Sequence, residues 1–278
     1  MKLDKPPIQL IVFDWAGTTV DFGSQAPAAA FKSVFAEHGV EVTDAEARAP
    51  MGFNKRQHLI AMLDQPRIDA LWKSVHGRPW NEGDVDQMYH EFMPLQMKTI
   101  ALHSELVPGL IDAVSELRAM GCKIAGTTGY FREAAAAVAK RAATAGFQPD
   151  VNVCADDIVQ GRPAPWMIYR AMEQTGVYPT SAVLNVGDTI ADIQAGVNAG
   201  CWSVGVCDSS SVMGLTRQDF VSLPEHQRAA NLQDVAKSFQ SAGSHATIAT
   251  ISQLPMLLRR ISQLQDARPR IMDDQVCV

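Results

Sequence analysis

Ile8-Gln9-Leu10-Ile11-Val12-Phe13-Asp14-Trp15-Ala16-Gly17-Thr18-Thr19-Val20-Asp21 begins as a short apolar run rich in β-forming residues and turns polar at Asp14. The run is too short for a helix, so it predicts a buried parallel strand with Asp14 at its carboxyl end. Similar runs recur at residues 123–126, 151–154, 182–187 and 202–206, separated by helical stretches. That alternation predicts an α/β fold built on a doubly wound parallel sheet. Such sheets bind ligands outside the carboxyl ends of their strands, so the chemistry is to be sought in the residues that follow each run.

Residues 21–103 carry helical signals and no convincing buried strand. Residues 28–38 end at Gly39, Thr43-Asp44-Ala45-Glu46 has capping-box spacing, and Asn54 can cap a helix over residues 55–63. Two further helices are expected near residues 67–75 and 85–97. Together they predict an inserted all-helical cap domain at 21–103, with residues 1–20 and 104–278 forming the core. The tail from 265 to 278 carries no readable signal.

With 278 residues the chain is long enough for such a core and companion. At 47% hydrophobic and 19% charged residues, and with no apolar run near the ~20 residues of a membrane helix, it reads as soluble with no membrane role. The amino terminus has no signal-peptide pattern, so a cytoplasmic protein is expected. Five cysteines without a CxxC pair argue against a disulfide framework and a zinc site. A net charge of -6 provides no basic field for nucleic acid, so an anionic small-molecule substrate must be held by local groups and a metal.

Four stations follow strand runs. Asp14 stands beside the Gly/Thr-rich loop 15–20, where backbone amides and Thr18 can approach an anion; the alternative is an Asp that caps a turn. Thr127-Thr128-Gly129-Tyr130 places a hydroxyl and amides at a second strand end, although an ordinary turn has the same composition. Gly161-Arg162-Pro163 offers a guanidinium suited to phosphoryl oxygens, or a surface charge. Gly187-Asp188-Thr189-Ile190-Ala191-Asp192 pairs carboxylates that suit a hard cation, or a solvated helix start.

Taken in order, these stations resemble the haloacid dehalogenase superfamily: an aspartate nucleophile, then Thr/Ser, basic and acidic stations. DWAGTTVD, MGxxK, TTGY, GRPxPW and GDTxxD together are similar to the phosphonoacetaldehyde hydrolase family, over roughly residues 8–264. The resemblance implies a Rossmannoid core, an Asp14 nucleophile that becomes an aspartyl phosphate, and Mg2+ held by Asp14, the backbone carbonyl of Ala16 and Asp188. Asp192 would lie nearby or act through water. It also implies that Thr128 and Arg162 stabilise the phosphoryl oxygens, that Met51, Gly52 and Tyr130 line the substrate site, and that Gly17 shapes the loop. Ser24 departs from the Cys of some relatives. A homodimer formed through the caps is implied too, and Trp72 and Trp80 suit either that interface or the cap's own core.

Many phosphatases of this superfamily carry an Asp two residues after the nucleophile to protonate a departing alkoxide; here that position is Ala16. A carbanion leaving group needs an electron sink instead. On sequence alone Lys55 reads first as a solvated helix lysine, but the resemblance reverses that and assigns the sink to it, as an imine with the substrate aldehyde; His58, one helical turn on, is placed to shuttle protons, although a packed or surface histidine fits that position equally. The expected reaction is hydrolysis of phosphonoacetaldehyde to acetaldehyde and phosphate. The competing expectations are a phosphatase or phosphomutase acting on a small phosphate ester and, outside enzymology, a phosphate-binding or interaction module.

Overall fold

The computed structural model describes residues 8–263 and 276–277, so most of the unreadable tail lies outside the described residues. The opening run forms strand β1 (Leu10–Asp14), followed by helices α1 (Gln25–Glu37), α2 (Asp44–Arg48), α3 (Lys55–Leu63), α4 (Pro66–His76) and α5 (Glu82–Leu102). The chain continues through α6 (Leu110–Ala119), β2 (Lys123–Thr127), α7 (Arg132–Thr144), β3 (Val151–Val153), α8 (Trp166–Thr175), β4 (Val183–Gly187) and α9 (Ile190–Ala199). It ends with β5 (Trp202–Val206), α10 (Arg217–Ser222), α11 (Glu225–Ser241), β6 (Ala246–Ile248), α12 (Leu254–Gln263) and β7 (Val276–Cys277). The strands form one parallel sheet in the order β3-β2-β1-β4-β5-β6-β7.

The period-2 geometry of β1 explains why the sheet is covered on both faces. Ile11 and Phe13 join a cluster with Leu117 of α6, Val138 of α7 and Leu257 of α12, whereas Leu10 and Val12 join Ile168 of α8 and Ala195 of α9. Every residue of β1 is buried, as a strand sandwiched by two helical layers requires. The chain leaves β1 towards β2 on one side and returns to β4 on the other, which puts a switch point at the carboxyl end of β1, where Asp14 sits.

Helices α1 to α5 enclose a hydrophobic cluster of their own that includes Phe31, Phe35, Leu59, Met62, Trp72 and Phe92. The Phe31 and Phe92 rings stack at 4.4 Å between α1 and α5. Trp72 is fully buried in this cluster, so it serves the helical core and is not surface material for an interface. Truncating such a ring to Ala costs about 3–5 kcal/mol. Local signals set the helix starts: Asn54 Oδ1 accepts from Gln57 N at 2.9 Å, and Thr43 with Glu46 makes a reciprocal capping box. Two linkers connect these helices to the sheet and run side by side, with Asp21 N donating to Glu105 O at 3.0 Å and Val107 N to Thr19 O at 2.9 Å. No helix among the described residues is long and apolar enough to cross a membrane.

Candidate active site

Asp14 projects from the end of β1, in register with Thr127 at the end of β2 and beside β4, which leads directly into Asp188. Arg162, from the β3–α8 connection, reaches across these strand ends: its Nη1 lies 2.6 Å from Asp14 Oδ1 and 2.8 Å from Asp192 Oδ1. Its Nη2 donates to Thr127 Oγ1 at 2.7 Å and to Thr127 O at 3.1 Å, which fixes the plane of the guanidinium. Asp188 accepts from Ser211 N at 2.8 Å and, at 3.4 Å, from the Thr18 hydroxyl. Asp192 Oδ2 is taken by the N–H and hydroxyl of Thr189 in the cap of α9.

Carboxylate oxygens of Asp14, Asp188 and Asp192 lie within 4.8 Å of one another, and all three residues are buried. Burial pushes Asp14 up to about 6 against the pull of Arg162, and pushes Asp188 well above the ordinary carboxylate range, with the charges of Asp14 and Asp192 adding to the effect. Three carboxyl groups crowd one guanidinium, and a bound cation would offset the burial and mutual repulsion that raise Asp14 and Asp188. An all-oxygen donor set of this kind fits a hard divalent cation. The loop that supplies Ala16 allows the close approach because residue 17 is glycine: a Cβ there would lie 2.1 Å from Asp188 Oδ2, and its φ of +88° is in the left-handed region.

The helical layer contributes Lys55. It is buried at the first turn of α3, with Nζ 5.1 Å from the centre of the Tyr130 ring and 5.5 Å from that of Phe31. Burial lowers its ammonium to about 8, although Asp14 pulls the other way. The preceding loop is pressed onto the start of α9: a Cβ on Gly52 would lie 2.4 Å from Thr189 Oγ1. Asp14, Ala16, Ser24, Met51, Gly52, Lys55, Thr128, Tyr130, Arg162 and Asp188 thus line one narrow cavity of about 20 Å³. Thr128 Oγ1 accepts from Tyr130 N at 3.1 Å, which positions that ring.

His58 does not line the cavity; it is fully buried behind it, stacked on Phe31 at 3.6 Å between ring centres. Its Nε2 meets Ala47 O at 2.9 Å, and a carbonyl can only accept, so the ring proton is on Nε2 and Nδ1 carries a lone pair with no partner among the described residues. Burial and then the nearby Lys55 charge hold the imidazole well below its ordinary value, so it is neutral. Thr127, quoted in its strand-end station but given no role there, orients Arg162, and Ser211, absent from the sequence reading, holds Asp188 through its backbone N–H. A larger groove lined by Val159, Trp166 and Tyr169 lacks convergent chemistry, since its Arg170 and Asp157 are already paired with Glu173 and Arg132.

An Asp at a switch point, an Arg and a pair of further acidic residues at neighbouring strand ends define the haloacid dehalogenase-like hydrolases, whose family model matches residues 8–200. Within that class, the phosphonoacetaldehyde hydrolase of Syntrophobacter fumaroxidans is 40% identical over 93% of this chain and 93% of its own. That of Bacillus cereus is 40% identical over 92% of this chain and 97% of its own. The crystal structure of a phosphonoacetaldehyde hydrolase-like protein from Oleispira antarctica superposes with a TM-score of 0.93 at 35% identity, covering 95% of this chain and 97% of that one. The chain belongs to the phosphonoacetaldehyde hydrolase family, and it is an enzyme.

Proposed function

We propose that this protein hydrolyses the carbon–phosphorus bond of phosphonoacetaldehyde to acetaldehyde and phosphate, in 2-aminoethylphosphonate degradation. The observation that carries this reading is the presence of Lys55, with its ammonium lowered to about 8, in one cavity with Asp14, while Ala16 occupies the place where an acid for an alkoxide would stand. In this reading the neutral Lys55 amine adds to the aldehyde and, with uptake of one proton, loses water, giving a protonated imine. Asp14 attacks phosphorus in line; the carbon–phosphorus bonding pair flows into the imine, which becomes an enamine, and an aspartyl phosphate forms. Water hydrolyses the acyl phosphate. The enamine is protonated at carbon, and hydrolysis of the resulting imine releases acetaldehyde and restores Lys55.

Arg162 and Thr128 hold the phosphoryl oxygens in the transition state, and the Tyr130 face supports the cationic imine. His58 takes and returns protons through Nδ1, the ring nitrogen left open in the fold. Residues 21–103 act as a cap that excludes water from the 1–20 and 104–278 core. Mg2+ would be held by Asp14, the Ala16 carbonyl and Asp188, with Asp192 nearby or acting through water; when bound it neutralises the charge between two anions. The same reading makes the protein cytoplasmic and a homodimer through its caps, where Val75 and Met97 expose apolar surface. The test is a product assay. Phosphonoacetaldehyde should yield acetaldehyde and phosphate in equal amounts, with none from Lys55→Arg; phosphate release from phosphate esters alone would overturn the reading.

A further inference from the structure

The loop after β5 contains three consecutive buried serines, Ser209, Ser210 and Ser211. Two of their hydroxyls are committed to holding the backbone: Ser209 Oγ donates to Gly17 O at 2.7 Å, and Ser210 Oγ donates to Cys207 O at 2.8 Å while accepting from Met213 N at 2.9 Å. The third is different. Ser211 is 2% exposed and its Oγ has no hydrogen-bond partner among the described residues, although its own N–H donates to Asp188 Oδ2 at 2.8 Å.

A buried hydroxyl left unpaired costs about 1–3 kcal/mol, and an alanine would avoid that cost. Covalent geometry keeps Oγ within about 4 Å of the same residue's nitrogen, which lies 2.8 Å from Asp188 Oδ2, so the unpaired hydroxyl is within about 7 Å of the Asp188 carboxylate. Magnesium bound by only a few protein oxygens retains several waters, and those waters need acceptors and donors from the surrounding protein.

We propose that Ser211 is a positioning residue of the metal site: its N–H fixes Asp188 and its hydroxyl hydrogen-bonds to the hydration shell of the ion held there. The proposal rests on the magnesium part of the function proposed above. It extends the site to a loop that also holds the carbonyl of Gly17 and, through Ser209 O, the N–H of Gly23 in the linker to the helical layer. Ser244 offers an internal comparison, being another buried serine with an unpaired hydroxyl, but placed just before β6 and so at the opposite end of its strand from the carboxylates.

The test uses the full-length chain, stripped of metal and titrated with Mg2+ by calorimetry, with the melting temperature of the metal-free protein measured in parallel. Ser211→Ala should weaken Mg2+ binding about tenfold, the lower end of what outer-shell partners typically contribute, while the metal-free melting temperature stays level or rises. A purely structural serine would give the reverse pattern. Ser244→Ala should leave Mg2+ affinity unchanged. If Ser211→Ala does not fold, the near-isosteric Ser211→Cys, a poor hydrogen-bonding partner, gives the same reading. Binding by Ser211→Ala within twofold of wild type overturns the inference. Wild-type protein that binds no Mg2+ at all removes the magnesium reading beneath it, which is a separate result.

Discussion

Removing the charge of Asp14 should make Lys55 a better nucleophile even as it ends turnover. Burial holds the Lys55 ammonium at about 8, and Asp14 is the largest of the charges pulling it back up. With that value about one amine in eleven is neutral at pH 7, against roughly one in three thousand for a lysine at its ordinary value. Asp14, pushed up to about 6, is mostly ionised at this pH and so exerts its pull. In Asp14→Asn the Lys55 value should therefore fall. Each unit of fall corresponds to about 1.4 kcal/mol of lost attraction, and the first unit takes the neutral share at pH 7 from about a tenth to about a half. The assay is reductive alkylation by acetaldehyde and cyanoborohydride in metal-free protein, with the initial rate at Lys55 followed by peptide mass from pH 6 to 10. Wild type should show a rise centred near 8, and the variant a rise at lower pH, with several-fold faster labelling at pH 7 and equal rates at pH 10. A wild-type midpoint near 10.5, or a variant midpoint shifted upward, would refute the reasoning.

Chelation of divalent metal should abolish turnover, and added Mg2+ should restore it; full activity in exhaustively metal-free protein would remove the cation from the account. Gly17→Ala should cost about 1–3 kcal/mol from backbone strain, read as a lower melting temperature, and should cut turnover more than tenfold because the new Cβ displaces the Asp188 carboxylate. Wild-type stability and activity in that variant would contradict the packing described. Ala16→Asp places a further negative charge in the Lys55 cavity, which favours the ammonium; kcat/KM for phosphonoacetaldehyde should fall more at pH 7 than at pH 9, and an undiminished rate would mean that Ala16 is not what spares Lys55 that charge.

The sheet was legible because buried parallel strands are written as apolar runs, and five were found that way; β6, only three residues long, was missed because Ala246-Thr247-Ile248 is flanked by Ser, His and Ala with no run to mark it. Helix α3 was legible to the residue because Asn54 caps it through its own side chain, whereas α5 begins three residues earlier than expected, at a capping box of Asn81 and Asp84 that the apolar pattern alone did not reveal. The carboxylates and Arg162 follow strand ends and so could be read. Ser211 could not, because it holds Asp188 through a backbone N–H, and any residue has one. The orientation of His58 was equally hidden, since the Ala47 carbonyl that sets its tautomer is eleven residues away in another helix.

The central claim is an imine on Lys55, and the most direct measurement is borohydride reduction during turnover of phosphonoacetaldehyde, followed by peptide mass mapping. The account predicts loss of activity that depends on substrate and a single ethyl-type adduct on Lys55, absent from Lys55→Arg, which also fails to cleave. An adduct confined to other lysines, or cleavage by Lys55→Arg at the native rate, would contradict it.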